Sequence, residues 1–250
     1  MSTQTQTLLT SIEDFVIQCM KHYDPSHNPA HIRRVVALAL RILKAERAAT
    51  TQADTGSNTE TPSDKIVYDE LTVHLAALLH DISDRKYLPK PSSASGSGAG
   101  SEPDVPPHKL VEHILLTYGA SASLASRVQT IVSHVSYTTE CKDPGRVRRL
   151  IEEEGYVELA IVQDADRLDA LGAVGIGRCF TFLGAKGKDM LKEGEAWEME
   201  NSIRHFGEKL VKLEGMMKTG TGRAMARVKT ERLLEFQSWW EEEMDDVSYI

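Results

Sequence analysis

Cysteine is scarce, with only Cys19, Cys141 and Cys179 in 250 residues. Three scattered thiols exclude a disulfide framework or a zinc knuckle, and leave a reducing compartment as the default. Long apolar runs are missing too: none approaches the roughly 18 residues a membrane-spanning helix needs. The opening MSTQTQTLLT lacks the basic start and apolar middle of a secretory signal. The expectation is a cytoplasmic chain with no membrane partner. Excess positive charge is absent as well, with 29 Lys and Arg against 37 Asp and Glu for a net charge of −8. Such a balance argues against a nucleic-acid partner, since backbone binding runs on clustered cations. A small phosphorylated substrate needs only a few local cations and stays open. Strand signals are few, because no hairpin dipeptide sits between alternating runs. Histidine, by contrast, is present nine times.

Two stretches carry too few apolar side chains to offset the entropy of ordering them. They run over about residues 50–64 (TTQADTGSNTETPS and onward) and 89–107 (PKPSSASGSGAGSEPDVPP). The segments beside them are short helical patterns that could not fold alone, so both read as loops inside one domain. The second begins two residues after a conspicuous motif, which suggests a cover over a site. Elsewhere the apolar period is near 3.6, predicting an all-α fold. Leu8, Ile12, Phe15, Val16 and Cys19 make a first helix; Asn28-Pro29 caps a second that runs to about Ala49. Further helices are predicted over about 65–81, 108–118, 121–137, 158–171, 198–217 and 222–243.

The chemistry concentrates in three segments. LAALLHDISDRKY (75–87) ends an apolar helical run in His80-Asp81, with Asp84 and Lys86 just beyond. A nitrogen and an oxygen donor side by side suit a borderline or hard divalent ion such as Mn²⁺, Fe²⁺, Co²⁺ or Ni²⁺. An ordinary polar helix end is the alternative. SHNPAHIRRVVALAL sets His27 and His31 four apart across the start of the second helix. IVQDADRLDALGAVGIGRCF places Asp164, Asp166, Arg167 and Asp169 among core-period apolar residues, where charges are paired, metal-bound or turned to solvent.

Together these segments resemble the HD-domain superfamily of metal-dependent phosphohydrolases. The order is a histidine in an HxxRV-like segment (His31, Arg34, Val35), the His80-Asp81 doublet, then a distant aspartate. HDISDRKY, QDADRLDALGAVGIGRCF and HFGEKLVKLEGMMKTGTGRAMA (205–226) are similar to a branch of bacterial nucleoside-triphosphate pyrophosphohydrolase-like proteins. The likeness covers about residues 12–245 apart from the two loops. It implies a single HD-type helical domain in which His31, His80, Asp81 and Asp164 hold one divalent ion (Mn, Co, Ni or Fe). Asp84 is then the candidate to orient or deprotonate a water. Lys86, Arg167, Arg34 and Arg178 are candidates for phosphate contacts. Arg34 has an alternative role in pairing with a buried acid, and the glycines before Arg178 have one in close packing.

The resemblance thus points to a nucleotide as partner, with cleavage of a (deoxy)nucleoside triphosphate to pyrophosphate, and it admits a homodimer. Three other readings remain: a nucleoside monophosphate phosphatase, a two-iron HD-domain oxygenase, and a non-catalytic nucleotide-binding protein. The oxygenase reading would need His113 and His134, which fall where some relatives carry two further metal ligands. His27, His74 and His205 are expected to be structural or on the surface. Phe236 with Trp239-Trp240 reads as packing, because no basic patch accompanies it.

Overall fold

A computed structural model describes residues 2–54, 66–82, 105–191 and 193–247. Those residues are helical, with no strand among them, in agreement with the all-α expectation. The chain divides into two compact units, Met1–His22 with Tyr68–Leu159 and Tyr23–Val67 with Ala160–Ile250. Each therefore combines segments far apart in sequence.

In the first unit α1 (Thr3–Met20) starts at Ser2, whose side chain accepts from the Thr5 N–H. Its buried stripe of Leu8, Leu9, Ile12, Val16 and Met20 packs on α3 (Glu70–Leu79). Helix α3 also packs on α5 (Ala122–Val132), which pairs with α4 (Leu110–Thr117). Val73, Leu75, Leu79, Val111, Leu115, Val128 and Ile131 are buried among them. Gly119 ends α4 at φ +84°, a left-handed conformation that other residues adopt at a cost. The short α6 (Tyr137–Lys142) and α7 (Pro144–Glu152) follow. Helix α7 opens on an Asp143 cap with Pro144 at its first position.

The start of α3 is fastened twice. Asp69 accepts from the Thr72 N–H at 2.7 Å, and its own N–H donates to Glu158 Oε1 at 3.0 Å. The buried Glu158 carboxylate is in turn paired with Arg127. These bonds fix the helix whose far end carries His80 and Asp81.

The second unit is built on α2 (Pro29–Asp54), α9 (Gly172–Lys186), α10 (Glu200–His205) and α11 (Gly220–Val247). Helix α11 packs on α9 and α2. Asn28 caps α2 through its side-chain oxygen on the Ala30 N–H at 2.9 Å. Contrary to the predicted loop start at residue 50, α2 continues to Asp54. A helix already nucleated gains one hydrogen bond per added residue, and the Thr50 and Thr51 hydroxyls bond back to Glu46 and Arg47 carbonyls. The rest of that loop, and residues 89–104 of the other, lie outside the described residues.

Phe180, Phe206, Phe236 and Trp240 form one aromatic cluster with centroids 5.6–6.3 Å apart. The packing role expected of Phe236 and Trp240 follows from this, while Trp239 faces out at 54% exposure. Helix α8 (Val157–Asp169) begins in the first unit and ends in the second. Among the described residues no single helix is long and apolar enough to cross a membrane.

Candidate active site

Helix α8 is buried almost all round: Ile161, Val162, Gln163, Asp164, Ala165 and Leu168 are inaccessible. A charge on such a helix needs partners, since an unpaired buried carboxylate is strongly disfavoured. Its three acids find different ones. Residues 166 and 169 are three apart and share a face, whereas 164 is two residues back and points the other way.

Asp169, 2% exposed, is the centre of an ionic network. Its Oδ2 accepts from His31 Nδ1 at 2.8 Å. Arg34 grips both oxygens, Nε to Oδ1 at 2.7 Å and Nη2 to Oδ2 at 2.9 Å. Arg178 Nη1 lies 3.1 Å from Oδ2, and its Nε donates to the Ser26 carbonyl at 2.8 Å. Burial pushes the Asp169 carboxyl up, but hydrogen bonds from His31 and Arg34 and the Arg178 charge outweigh it. They hold the group well below the usual carboxylate range. Two guanidinium groups meet one carboxylate, so the network carries an excess positive charge.

A carboxylate can only accept, so His31 carries a hydrogen at Nδ1, and in the neutral ring the lone pair is then at Nε2. Asp166, with 29% of its side chain exposed, has Oδ1 3.8 Å from that Nε2. His27, bonded to Ser26 Oγ at 2.7 Å, meets the His31 ring edge-on at 5.9 Å.

Asp164 is used elsewhere. Its Oδ1 accepts from the Lys218 N–H at 2.8 Å, and its Oδ2 from the Thr219 N–H at 2.8 Å and the Thr219 hydroxyl at 2.7 Å. Burial raises its pKa despite these bonds. Gly222 leaves room for it: a Cβ there would stand 2.1 Å from Asp164 Oδ2. Arg167, 3% exposed, donates to the Met216 carbonyl at 3.0 Å. Asp164 and Arg167 thus hold the chain at 216–219 just before α11.

In the first unit, His80 at the end of α3 places Nδ1 2.8 Å from the Ala77 carbonyl. Nδ1 therefore carries a hydrogen here as well, and in the neutral ring the lone pair is at Nε2, which lies 3.6 Å from Asp81 Oδ2. His113 is exposed, and His134 Nδ1 donates to the Thr130 carbonyl at 2.7 Å. Asp84 and Lys86 lie outside the described residues.

Of the predicted phosphate contacts, Arg34 and Arg178 are found on Asp169, and Arg167 on a backbone carbonyl. The buried-acid alternative for Arg34 is the geometry present. The glycine run 172–177 opens α9. Gly172 adopts φ +68°, and a Cβ on Gly175 would lie 2.2 Å from the Ala170 carbonyl oxygen. The sequence names Asp166 and Asp169 as acids to be paired, metal-bound or solvated without choosing between these; the structure puts Asp169 on His31 and Asp166 beside it. The helical spacing of 164, 166 and 169 contains the signal that separates them.

No protein-family model matches the chain. It is 32% identical over 225 residues to the uncharacterized protein YpgQ of Bacillus subtilis (strain 168), covering 90% of this chain and 88% of that protein. Among solved structures it is similar to B. subtilis YpgQ in complex with ADP. The TM-score is 0.61 at 29% identity, covering 94% of this chain and 97% of that one. It is also similar to an HD-superfamily hydrolase from Bacillus thuringiensis, with a TM-score of 0.59 at 25% identity, covering 96% and 98%.

Proposed function

This chain belongs to the YpgQ family within the HD superfamily, and on that premise we propose that it is a divalent-metal phosphohydrolase of nucleotides. The reaction proposed is cleavage of a (deoxy)nucleoside triphosphate to the monophosphate and pyrophosphate. The nucleotide part of the reading is supported by YpgQ having been crystallised with ADP.

The observation that carries the metal part is the state of the two histidines. His31 and His80 each have Nδ1 engaged with an acceptor, one a carboxylate and the other a backbone carbonyl. That pattern leaves Nε2 as the donor atom and orients the ring, as supporting partners of metal-binding histidines do. The proposed ligands are His31, His80, Asp81 and Asp166. Asp166 replaces Asp164 because the Asp164 carboxylate is taken up by Lys218 and Thr219, whereas Asp166 stands on the His31 side of α8. Two nitrogen and two carboxylate donors suit Mn²⁺, Fe²⁺, Co²⁺ or Ni²⁺. Such an ion, when bound, supplies positive charge to phosphoryl oxygens and acidifies a water.

The protein's own residues do the rest. Asp169 holds His31 in one tautomer. The excess positive charge of Arg34 and Arg178 over Asp169 favours an anionic substrate beside His31. Asp84, three residues past Asp81, remains the proposed base, and Lys86 the proposed phosphate contact.

The test is a panel of nucleoside mono-, di- and triphosphates with Mn²⁺, Co²⁺ or Ni²⁺, the products separated by chromatography. Pyrophosphate release from a triphosphate, lost in Asp81→Ala, is expected. Release of a single phosphate from monophosphates would replace the reaction proposed, and no turnover with any ion would overturn the enzyme reading.

A further inference from the structure

The second unit contains a cavity that the phosphohydrolase reading does not use. Its volume is about 240 Å³, and Cys179, Phe182, Leu183, Ser202, His205 and Glu208 are among its walls. Pockets that enclose a whole drug-sized ligand run to roughly 300–1,000 Å³, so this one suits a single ring system.

Ser202 is 2% exposed and its Oγ has no hydrogen-bond partner. A buried hydroxyl left unpaired is disfavoured and calls for an explanation, of which a missing ligand is one. The walls also say what the ligand is not. The acidic groups are Glu195 and Glu208, and Arg204, the arginine there, is already paired with Glu195 at 2.9 Å. Burial pushes the Cys179 thiol up, and burial with the nearby Lys209 charge pushes the His205 ring down. Among the lining residues a phosphate would meet two carboxylates and one already paired arginine, the Lys209 charge reaching Cys179 and His205 from beyond them, which favours an uncharged occupant. Phe182 and His205 contribute rings to the lining, and Ser202 and Asn201 contribute neutral hydrogen-bonding groups.

The cavity also adjoins the proposed catalytic residues. The Phe182 ring lies 5.4 Å from His27, whose ring lies 5.9 Å from His31. We infer that this cavity receives the base of the nucleotide, with Phe182 and His205 against its ring and Ser202 as a hydrogen-bond partner. The inference rests on the nucleotide reading of the His31 site and adds the place where the base is recognised.

The test uses the full chain and two variants, Ser202→Leu to fill the cavity and Ser202→Ala to remove only the hydroxyl. Phosphate-free nucleosides (adenosine, guanosine, cytidine, thymidine) are titrated by calorimetry. Inorganic tripolyphosphate serves as the base-free inhibitor of turnover. At least one nucleoside is expected to bind wild type. Ser202→Leu should lose that binding and raise KM for the matching triphosphate at least tenfold, with tripolyphosphate inhibition unchanged. Ser202→Ala, which keeps the fold if the leucine variant does not, should weaken nucleoside binding about two- to tenfold, the worth of one neutral hydrogen bond. Nucleoside affinity and KM within twofold of wild type in both variants, or no nucleoside binding to wild type at millimolar concentration, would overturn the inference and leave the hydrolase reading standing. Nucleoside binding that is abolished by Ser202→Leu in a protein with no hydrolytic activity would keep the pocket and remove the hydrolase.

Discussion

Replacing Asp169 with asparagine changes one charge and almost no volume, which makes it the sharpest probe of the network behind His31. The native carboxylate accepts three hydrogen bonds, from His31 Nδ1 and Arg34 Nε and Nη2, and forms an ion pair with Arg178 Nη1. An amide keeps the most of these with its oxygen at the Oδ2 position, facing His31, Arg34 Nη2 and Arg178. Its NH₂ then confronts Arg34 Nε, donor against donor. One bond is lost, and two guanidinium groups lose their counter-charge. Breaking a buried ion pair by removing one partner costs about 3–5 kcal/mol. The low end applies here, because 34% of the Arg34 side chain reaches solvent, against 14% for Arg178. For a chain of this size about 3 kcal/mol corresponds to a fall in Tm of about 6–12 °C.

The same substitution leaves His31 supported by a neutral amide, so affinity for Mn²⁺ should drop about 10- to 100-fold, as when other outer partners of metal ligands are changed. Urea denaturation with chelator present measures the first effect, and calorimetric Mn²⁺ titration the second. Acidity adds a check of sign. The Asp169 carboxyl titrates below its unfolded value, so the native state refuses protons that the unfolded chain takes up near pH 4. Its contribution is full above that pH and is lost as pH falls toward the folded value. The stability gap between wild type and Asp169→Asn should therefore narrow from pH 6 to pH 3. A gap under about 1 kcal/mol at pH 7, or undiminished Mn²⁺ affinity, would refute the role given to Asp169.

The other acids of α8 should separate cleanly. Asp166→Ala is expected to remove Mn²⁺ binding with Tm nearly unchanged, whereas Asp164→Ala should cost about 1–3 kcal/mol for each buried N–H it leaves unpaired; thermal melts beside metal titrations decide, and the reverse pattern would return the ligand role to Asp164. Gly175→Ala should lower Tm, because the added Cβ meets the Ala170 carbonyl at 2.2 Å and overpacking costs about 1–3 kcal/mol. A raised Tm would mean that helix propensity outweighs the clash.

Much of this fold is readable from capping residues and apolar period. Asn28-Pro29 announces α2, and the stripe from Leu8 to Cys19 announces α1. The same cap-and-proline grammar at Asp143-Pro144 marks α7, a helix too short and polar to show an apolar period. Helix α9 lies outside the predicted helices, since glycine has low helix propensity, and Gly175 serves close backbone approach inside it. The predicted helix over 198–217 breaks into α10, a π turn at Phe206–Leu210 and a 3₁₀ stretch at Val211–Met216. No cap or proline signals those changes. Similarly, the predicted helix over 121–137 stops at Val132, and α6 starts afresh at Tyr137.

At the site, residue identity singles out the histidines and the doublet as candidates, but it does not tell the three acids of α8 apart. Which partners each acid takes depends on the face it presents. For Asp164 it also depends on the backbone at Lys218 and Thr219, more than fifty residues later. Long-range partners of that kind leave no local trace.

The interleaving of the two units bears on how the chain emerges from the ribosome. Helix α1 is made first, yet α3, against which it packs, belongs to a stretch beginning at Tyr68, after residues 23–67 of the other unit. At about 5–20 residues per second, those intervening residues take about 2–9 seconds to synthesise. Through that interval the apolar stripe of Leu8, Leu9, Ile12, Val16 and Met20 has no α3 to cover it. The nascent chain therefore carries a sticky amphipathic helix for seconds, a natural client for a chaperone waiting at the exit tunnel.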